Sequence, residues 1–263
     1  MGYDTRFASE DFAAATAEVV AGNGVKVYLC PKATPTPVVS FGIVSQKAGG
    51  GIIITASHNP AQWNGLKFKN ESGSSAALEV TAKIEENITR ILATGKIDKI
   101  PLAQAREQGL LEYLDLEPIY YRQLSSLINL EEIRRAQLKI VIDPMYGAGA
   151  GYFKKLLAGG ATKLIEINGV RNPVFPGIQQ PEPIGTNLIR LAATVKKERA
   201  SVGLATDGDA DRLGVIDENG TFISAHHVFC PALPLPAGGA WGKGTDSQDV
   251  NDEQYDLPSG RAI

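Results

Sequence analysis

A loop near the start of the chain brings a hydroxyl, an imidazole and an ammonium group close together. The run T-A-S-H-N-P occupies residues 55–60, and the run N-G-L-K occupies residues 64–67. These runs contribute Ser57, His58 and Lys67, and a serine hydroxyl can act as a nucleophile. A serine hydrolase is not indicated, because the G-x-S-x-G elbow is missing and an adjacent serine and histidine do not form a triad.

Three carboxylates alternate along a second loop. Residues 207–212, the aspartate loop, read D-G-D-A-D-R and supply Asp207, Asp209 and Asp211, followed by Arg212. Alternate carboxylates of an extended loop can converge on one hard divalent cation. The guanidinium that follows them suits a phosphate, because its planar fork binds oxyanions bidentately. The loop therefore predicts a divalent-cation site next to a phosphate.

Two other interpretations of the aspartate loop are open. Its acids stand at positions 1, 3 and 5 of a calcium-binding hand and Glu218 stands at position 12, but Arg212 occupies position 6, which requires glycine. The flanking segments also predict strands and not helices. The other interpretation is a solvated acidic turn. The cation site is favoured over both, because three acids at a spacing of two, followed by an arginine, exceed what a turn needs.

The two loops together fit phosphoryl transfer. That chemistry depends more on positioning and charge neutralisation than on covalent steps. A metal ion held by carboxylates can neutralise a phosphoryl oxygen and polarise the phosphorus. A serine can carry the phosphoryl group as a covalent intermediate.

The elements that position these loops alternate between strand and helix. The apolar run Gly51–Ile54 predicts a buried strand that delivers the first loop to a sheet edge, where ligands of open α/β sheets gather. A second αβ series begins near Leu116, and its strands at 201–205 and 213–216 flank the aspartate loop. We therefore predict an α/β fold of two consecutive domains, each a mainly parallel or mixed sheet flanked by helices.

The predicted domains span residues 1–110 and 111–229. Residues 230–263 are rich in proline and glycine and have no amphipathic period, so we expect an irregular, disordered tail that does not belong to either domain. We interpret the sharp change after Phe229 as an interruption of the natural sequence. The run G-Y-D-T-R at residues 2–6 is expected to be the end of a strand whose body is missing.

Several local features are predicted along the two domains. Ser9 is expected to cap a helix that runs to about residue 21. Residues 95–109 have no strong period and predict a linker. The proline-rich segment 171–185 is too long for a mere connector. Thr186 is expected to cap a helix that ends at Arg199.

Composition excludes several classes of partner. The chain has 263 residues and a formal net charge of -3, and the residues before Cys230 carry 24 acids and 24 bases. This neutral body predicts neither a nucleic-acid partner nor an anionic membrane surface. Two cysteines, no signal peptide and no apolar run of about 18 residues predict a reducing, cytoplasmic location. No oligomeric state is predicted.

The motifs together resemble the α-D-phosphohexomutase superfamily, which includes phosphoglucomutases, phosphomannomutases and phosphoglucosamine mutases. The resemblance rests on T-A-S-H-N-P with its downstream N-G-L-K, and on D-G-D-A-D-R. The runs G-Y-D-T-R at residues 2–6 and A-T-P-T-P at residues 33–37 add to it. The similarity covers residues 2 to 229, and the order and separation of the motifs agree with the family.

The resemblance implies a reaction in which Ser57, as a phosphoserine, donates its phosphoryl group to a hexose phosphate. The resulting bisphosphate, such as glucose 1,6-bisphosphate, turns over in the site and returns its other phosphoryl group to the serine. Asp207, Asp209 and Asp211 would bind Mg²⁺, with the Ser57 phosphate as a further ligand. His58 would be an acid-base or transition-state group.

Three further roles follow from the same resemblance. Lys67 would share the acid-base or transition-state role beside the transferring phosphoryl group. Arg212 would contact that phosphoryl group or the substrate. Arg6 matches a family arginine near the phosphoserine loop and is expected to bind phosphate or substrate.

The sequence also departs from the family pattern. The family's opening motif lies upstream of Met1, and neither the Glu-Ser-Gly-type sugar-binding loop of the third domain nor the R-x-S-G-T phosphate loop of the fourth is present. A truncated chain of low or no activity is therefore expected, because remote binding energy positions the substrate.

Thr55 favours glucose or mannose phosphates as substrates, since glucosamine-specific members more often begin this loop with serine. The alternatives are a phosphoglucosamine mutase and a non-catalytic fragment that binds magnesium.

Overall fold

Strands and helices alternate along the chain in a computed structural model that describes residues 1–224 and 227–228. The first part contains β1 (Gly2–Tyr3), α1 (Ser9–Gly22), β2 (Val27–Leu29), α2 (Thr36–Ser45), β3 (Gly51–Ile54), β4 (Leu66–Lys69), α3 (Leu78–Thr94), α4 (Leu102–Glu107) and β5 (Leu111–Tyr113). The second part contains α5 (Glu117–Leu127), α6 (Leu130–Arg135), β6 (Lys139–Asp143), α7 (Tyr152–Leu156), β7 (Lys163–Glu166), a 3₁₀ turn (Gly185–Asn187), α8 (Ile189–Glu198), β8 (Val202–Thr206), β9 (Leu213–Ile216) and β10 (Phe222–Ile223).

The first part contains a three-stranded mixed sheet, β1-β3-β4, and a two-stranded sheet, β2-β5, with helices packed on them. Strand β1 pairs with β3 in parallel, β3 pairs with β4 antiparallel, and β2 pairs with β5 in parallel. Hydrogen bonds of Met1 with Tyr28 and Cys30 join β1 to β2. The spacing of Ala13, Ala17 and Ala21 puts small buried residues on one face of α1, so this helix can approach the sheet closely.

The second part is a five-stranded mixed sheet in the order β10-β9-β8-β6-β7. Strand β6 pairs in parallel with both neighbours, whereas β9 pairs antiparallel with β8 and β10. Helix α8 covers this sheet with Leu191 and Val195, which are fully buried against Val141 of β6. The prediction of two consecutive α/β units with mixed sheets flanked by helices is confirmed.

Two predicted helix caps are wrong. Helix α1 begins at Ser9 itself, after Ala8 in a left-handed conformation, and the Ser9 hydroxyl donates a hydrogen bond to Asp4 and not to the helix backbone. Thr186 lies within the 3₁₀ turn, and α8 begins only at Ile189. At Ser9, the hydrogen bond to Asp4 replaces the local capping bond.

The linker expected over residues 95–109 is also wrong in part, because α4 lies within it and packs on α1. The strand Leu111–Tyr113 was missed, and it pairs with β2. The division near residue 110 stays a prediction. Gly2–Tyr3 form a short strand, as expected for a strand end, and the missing body of this strand stays a prediction. The predicted tail, 230–263, lies outside the described residues.

The strand ends bring the polar loops to one region. Strand β3 ends directly before Thr55, and the segment between β3 and β4, residues 55–65, is the serine loop. Strand β8 ends directly before Asp207 and so delivers the aspartate loop. The two units meet there through a hydrogen bond between Ser57 and Asp207, at the strand ends where α/β sheets bind ligands. Within the described part of the chain, no helix has the length and apolar character needed to cross a membrane.

Candidate active site

Hydrogen bonds to the Ser57 amide, carbonyl and hydroxyl hold this residue in place. Its Oγ donates a hydrogen bond of 2.9 Å to Asp207 Oδ2. Its φ of 52° is a left-handed conformation that costs a non-glycine residue about 1 kcal/mol or more, so the surroundings must hold it. Its amide donates to Thr55 Oγ1 at 2.8 Å, and its carbonyl accepts from Arg6 Nη2 at 2.8 Å.

Arg6 binds the serine loop through four carbonyl oxygens. The Arg6 side chain is fully buried. Its Nη1 and Nη2 atoms donate to the carbonyls of Ser57, Asn59, Pro60 and Trp63 at 2.6–3.0 Å. These four bonds use all the Nη hydrogens of the guanidinium. The predicted contact between Arg6 and a phosphate therefore stays a prediction, and the contacts present give this residue a role in shaping the loop.

Asp4 is the counter-ion of Arg6 and a second anchor of the serine loop. Its Oδ2 lies 3.2 Å from Arg6 Nε and accepts a hydrogen bond from Thr55 Oγ1 at 2.7 Å. Its Oδ1 accepts from the Arg6 amide and from Ser9 Oγ. Burial raises the pKa of the Asp4 carboxyl, although these bonds oppose the shift. Sequence reasoning missed Asp4, although the G-Y-D-T-R run that carries it was part of the resemblance.

The aspartate loop folds around Asp207. Asp207 Oδ1 accepts hydrogen bonds from the amides of Asp211 and Arg212 at 2.9 and 3.0 Å. A left-handed Ala210, with φ of 57°, makes the turn that brings these amides back. Carboxylate oxygens of Asp207, Asp209 and Asp211 consequently lie within 4.8 Å of one another. The predicted convergence of the three acids is present.

The buried acids of this loop repel one another. Asp207 and Asp209 are both inaccessible to solvent. Burial, together with the charges of Asp209 and Asp211, raises the pKa of Asp207 to about 7. Burial acts in the same direction on Asp209, but the Lys67 ammonium and the hydrogen bonds that Asp209 accepts together outweigh it and lower the pKa of Asp209. Such a cluster is stabilised by a cation, because an unpaired buried charge is costly.

Lys67 supplies one positive charge to this cluster. It lies on β4 opposite Ile53 of β3. Its Nζ is 2.7 Å from Asp209 Oδ2 and 3.2 Å from Asp211 Oδ2. Burial acts to lower the pKa of Lys67, but the two carboxylates raise it overall. Sequence reasoning placed Lys67 after the loop and missed the strand that aims its side chain at the acids.

The donor set of the aspartate loop fits a hard divalent cation. Magnesium binds carboxylate oxygens and keeps several waters, so three converging carboxylates are a suitable partial shell. Asp209 Oδ1 is buried and accepts no hydrogen bond from the residues that the structure describes. An unpartnered buried carboxylate oxygen within such a cluster is available as a ligand.

Thr36 ties the start of α2 to the aspartate loop. Its hydroxyl donates to Asp209 Oδ2 at 2.6 Å, and its amide donates to the Asp209 carbonyl at 2.8 Å. The two residues are 173 positions apart. The T-P-T-P run was the signal for this contact, but no role was assigned to its threonine. Thr36 thereby fixes one aspartate from the other unit.

His58 and Arg212 make fewer contacts with the cluster. His58 adjoins Ser57 in sequence, and its buried Nδ1 has no hydrogen-bond partner among residues 1–224 and 227–228. Arg212 is partly exposed, and its Nη1 pairs with Glu182 Oε1 at 2.9 Å. Their roles toward phosphate or substrate stay predictions. The calcium-binding hand is excluded, because the strands β8 and β9 flank the aspartate loop.

Comparison with known families gives two matches in succession. Residues 1–94 match the family model described as phosphoglucomutase/phosphomannomutase, alpha/beta/alpha domain I. Residues 118–220 match the model for alpha/beta/alpha domain II of the same family. The first match contains the serine loop and the second contains the aspartate loop.

Individual relatives agree with these matches. A relative from Thermococcus gammatolerans, named "Probable phosphoglucosamine mutase", is 34% identical over 85% of this chain and 46% of its own length. A "Phosphoglucomutase/phosphomannomutase" from Thermococcus kodakarensis is 31% identical over 87% of this chain and 48% of its own. A crystal structure from Thermus thermophilus that carries the name phosphomannomutase is 37% identical, with a TM-score of 0.74 over 86% of this chain and 49% of its own. The chain spans about half the length of the curated relatives that it matches.

Proposed function

This chain belongs to the phosphoglucomutase/phosphomannomutase family, and we propose that Ser57 exchanges a phosphoryl group with a hexose phosphate. The observation that carries the proposal is the hydrogen bond from Ser57 Oγ to Asp207, which joins the nucleophile to the acid cluster. A hydroxyl held 2.9 Å from a cluster of carboxylates is where a phosphoryl group and a divalent cation could meet. The reaction class is an intramolecular phosphotransfer that isomerises the sugar phosphate.

The transfer balances in two steps. In the first, the phosphoserine P–O bond breaks and the phosphoryl group passes to a sugar hydroxyl, whose proton leaves to a base, while the released Ser57 oxygen takes up a proton, so that a hexose bisphosphate forms. In the second, the other phosphoryl group of the bisphosphate passes to Ser57 Oγ, which loses its proton, while the sugar oxygen that is released takes one up. The net change interconverts hexose 1-phosphate and hexose 6-phosphate. Glucose 1,6-bisphosphate or its equivalent is then both intermediate and activator.

The roles of the surrounding residues follow from their contacts. Asp207, Asp209 and Asp211 would hold Mg²⁺, which supplies neutralisation of phosphoryl oxygen charge when it is bound. Lys67, which pairs with two of these carboxylates, is proposed as an acid-base or transition-state group. His58 is proposed for the same role because it is adjacent to Ser57.

The two arginines predicted to bind phosphate or substrate are proposed to act in different ways. Arg212 is proposed to contact the phosphoryl group or the sugar once it leaves Glu182, since their pair is partly exposed. Arg6 is proposed to act on phosphate only through the loop that it shapes, because its Nη hydrogens are bound to carbonyls.

The identity of the hexose is proposed at the level of its class. Thr55 by its residue type favours glucose or mannose, but its hydroxyl accepts a hydrogen bond from the Ser57 amide and donates one to Asp4. A serine hydroxyl could make both bonds, so the side chain at this position is weak evidence about the sugar. The names of relatives favour glucosamine phosphate as a second candidate beside glucose and mannose phosphates.

Phosphorylation of Ser57 is the step to test first. The purified chain is incubated with Mg²⁺ and glucose 1,6-bisphosphate, and its intact mass is measured. We expect the gain of one phosphoryl group in the wild-type chain and in the control variant Ser126→Ala, whose serine lies on α5, and no gain in Ser57→Ala.

No gain in a wild-type chain shown to be folded, with the bisphosphates of glucose, mannose and glucosamine each tried, would contradict the proposal. It would support the alternative of a non-catalytic fragment, provided that Mg²⁺ still binds. Sustained conversion of hexose 1-phosphate to hexose 6-phosphate would instead contradict the expectation of low activity.

A further inference from the structure

Arg171, from the long loop between β7 and α8, contacts the backbone that carries Arg6. Its Nε donates to the Thr5 carbonyl at 2.9 Å, and its Nη2 donates to the Arg6 carbonyl at 3.0 Å. Its Nη1 and Nη2 also bind both carboxylate oxygens of Glu10, at 2.9 and 2.7 Å. One side chain of the second unit therefore holds two successive peptides of the first unit and a side chain on α1.

Phe175 of the same loop covers the Arg6 guanidinium. Its ring centroid lies 5.2 Å from Arg6 Cζ, within the range of a cation–π contact, and its side chain is buried. Phe175 has a φ of 47°, a left-handed conformation that a bulky residue adopts only when its surroundings require it. Nearby, Thr5 Oγ1 donates to the carbonyl of Tyr146, which is left-handed as well. Two loops of the second unit thus contact Thr5 and Arg6.

We propose that Arg171 is a positioning residue for the serine loop. It fixes the peptides of Thr5 and Arg6, so that the Arg6 guanidinium points at the four loop carbonyls and Ser57 is presented to Asp207. The proposal rests on the function proposed above only for its consequence in catalysis. A displacement of about 1 Å at a reacting group can lower a rate about 100-fold, so a residue that sets this loop would control phosphoryl transfer without touching the substrate.

The planar, forked guanidinium of Arg171 matters more for this role than its positive charge. The pair with Glu10 is about 40% exposed on both sides, and an exposed ion pair alone contributes little to stability. The two bonds to carbonyls are partly buried and charge-assisted. A lysine at this position would keep the charge opposite Glu10 but could not span two carbonyls and a carboxylate with a single ammonium.

Amide hydrogen exchange of the wild-type chain and of Arg171→Gln and Arg171→Lys tests the proposal. Within the serine loop, the amides of Ser57, Asn59 and Trp63 donate hydrogen bonds and are protected. We expect both variants to exchange these amides about tenfold faster or more, because charge-assisted bonds are lost, and to leave the exchange of the aspartate loop unchanged. The matched control is Arg134→Gln, which removes an arginine that also binds a carbonyl and a glutamate, Leu156 and Glu131, in the second unit. It should leave the serine loop unchanged.

Three outcomes would overturn the proposal. They are unchanged exchange in the serine loop, faster exchange throughout the chain, and full rescue by Arg171→Lys. If Arg171→Gln does not fold, Glu10→Gln decides, since it removes only the carboxylate that orients the fork and should accelerate exchange in the serine loop to a smaller extent. No change in that variant counts against the proposal.

Phosphorylation of Ser57 gives a second readout. With Mg²⁺ and saturating glucose 1,6-bisphosphate, Arg171→Gln should phosphorylate Ser57 at least about tenfold more slowly, while its Mg²⁺ affinity stays that of the wild type. If the wild-type chain takes up no phosphoryl group, the proposed function fails, and the exchange measurement still decides the role of Arg171.

Discussion

The Nζ atom of Lys67 lies 2.7 Å from Oδ2 of Asp209, so the chain closes its acid cluster with a cation of its own. The same ammonium reaches Asp211 at 3.2 Å. Two of the three carboxylates that would bind Mg²⁺ are therefore paired with a side chain when the metal is absent. A bound cation and this ammonium would share the negative charge of the same two carboxylates, so the two compete.

Replacement of Lys67 by methionine should tighten Mg²⁺ binding while it impairs phosphoryl transfer. Charges about 4 Å apart near a protein surface interact by about 4 kcal/mol, so the affinity for Mg²⁺ should rise about tenfold or more. Calorimetric titration measures this. Lys69→Met is the control, because Lys69 lies two residues along β4 on the same face and has no ion pair among the described residues. Weaker Mg²⁺ binding in Lys67→Met would contradict the competition.

Replacement of Asp209 by alanine should weaken Mg²⁺ binding and abolish phosphorylation of Ser57 together. One of three convergent charges is lost, and with it the contact that Thr36 makes from the other unit. We expect at least about a tenfold loss of affinity, corresponding to about 1.4 kcal/mol, by calorimetry. Glu218→Gln, at the last position of the excluded calcium-binding template, should bind Mg²⁺ like the wild type. Equal binding by Asp209→Ala would remove the metal assignment.

Replacement of Arg6 by lysine should strongly destabilise the fold around the serine loop. A single ammonium cannot satisfy four carbonyl oxygens and Asp4, and a disrupted buried charge pair costs about 3–5 kcal/mol. Urea unfolding measures the loss in the free energy of unfolding. Arg134→Lys, at a more exposed arginine, should cost less than about 1 kcal/mol. A similar small cost at Arg6 would show that the four bonds do not hold the loop.

The stability of the metal-free chain should depend on pH through Asp207. Its folded pKa of about 7 lies above the ordinary 3.8, so the folded state holds the proton more tightly than the unfolded state does. This contribution is fully present below about pH 4 and is lost as the pH rises to about 7, with a size on the order of a few kcal/mol.

Unfolding in a chelator at several pH values checks this sign. Between pH 4 and 7, the wild-type chain should lose stability relative to Asp207→Asn. The variant Asp98→Asn, at an exposed aspartate, should follow the wild type. A wild-type chain that gains stability relative to Asp207→Asn over this range would contradict the prediction.

Local sequence patterns predicted the bounds of two strands accurately. The strands predicted at residues 51–54 and 213–216 have the ends that the structure shows. Strand β4, with the sequence L-K-F-K, was missed because it has only four residues and directly follows a loop motif. Its pairing with β3 makes it a strand.

The parts of the site that were missed are long-range contacts. Asp4, Thr36 and Arg171 each bind a segment far along the chain, and no local pattern indicates the partner. Arg6 was named from the sequence as a phosphate-binding residue, but its bonds to carbonyls can be seen only once the loop is folded. The length of segment 171–185 indicated a functional loop without showing that it reaches the other unit.

Ser57 and Asp207 are 150 positions apart, so during translation Ser57 is made well before its partner. A ribosome that adds about 5–20 residues per second needs about 8–30 s to travel from one to the other. Over that time the nascent chain displays its serine without Asp207, and for most of it without Arg171 and Phe175. A newly made polypeptide therefore passes through an interval in which Ser57 is present without its hydrogen-bond partner, and that interval ends only when the second unit has been made and has packed on the first.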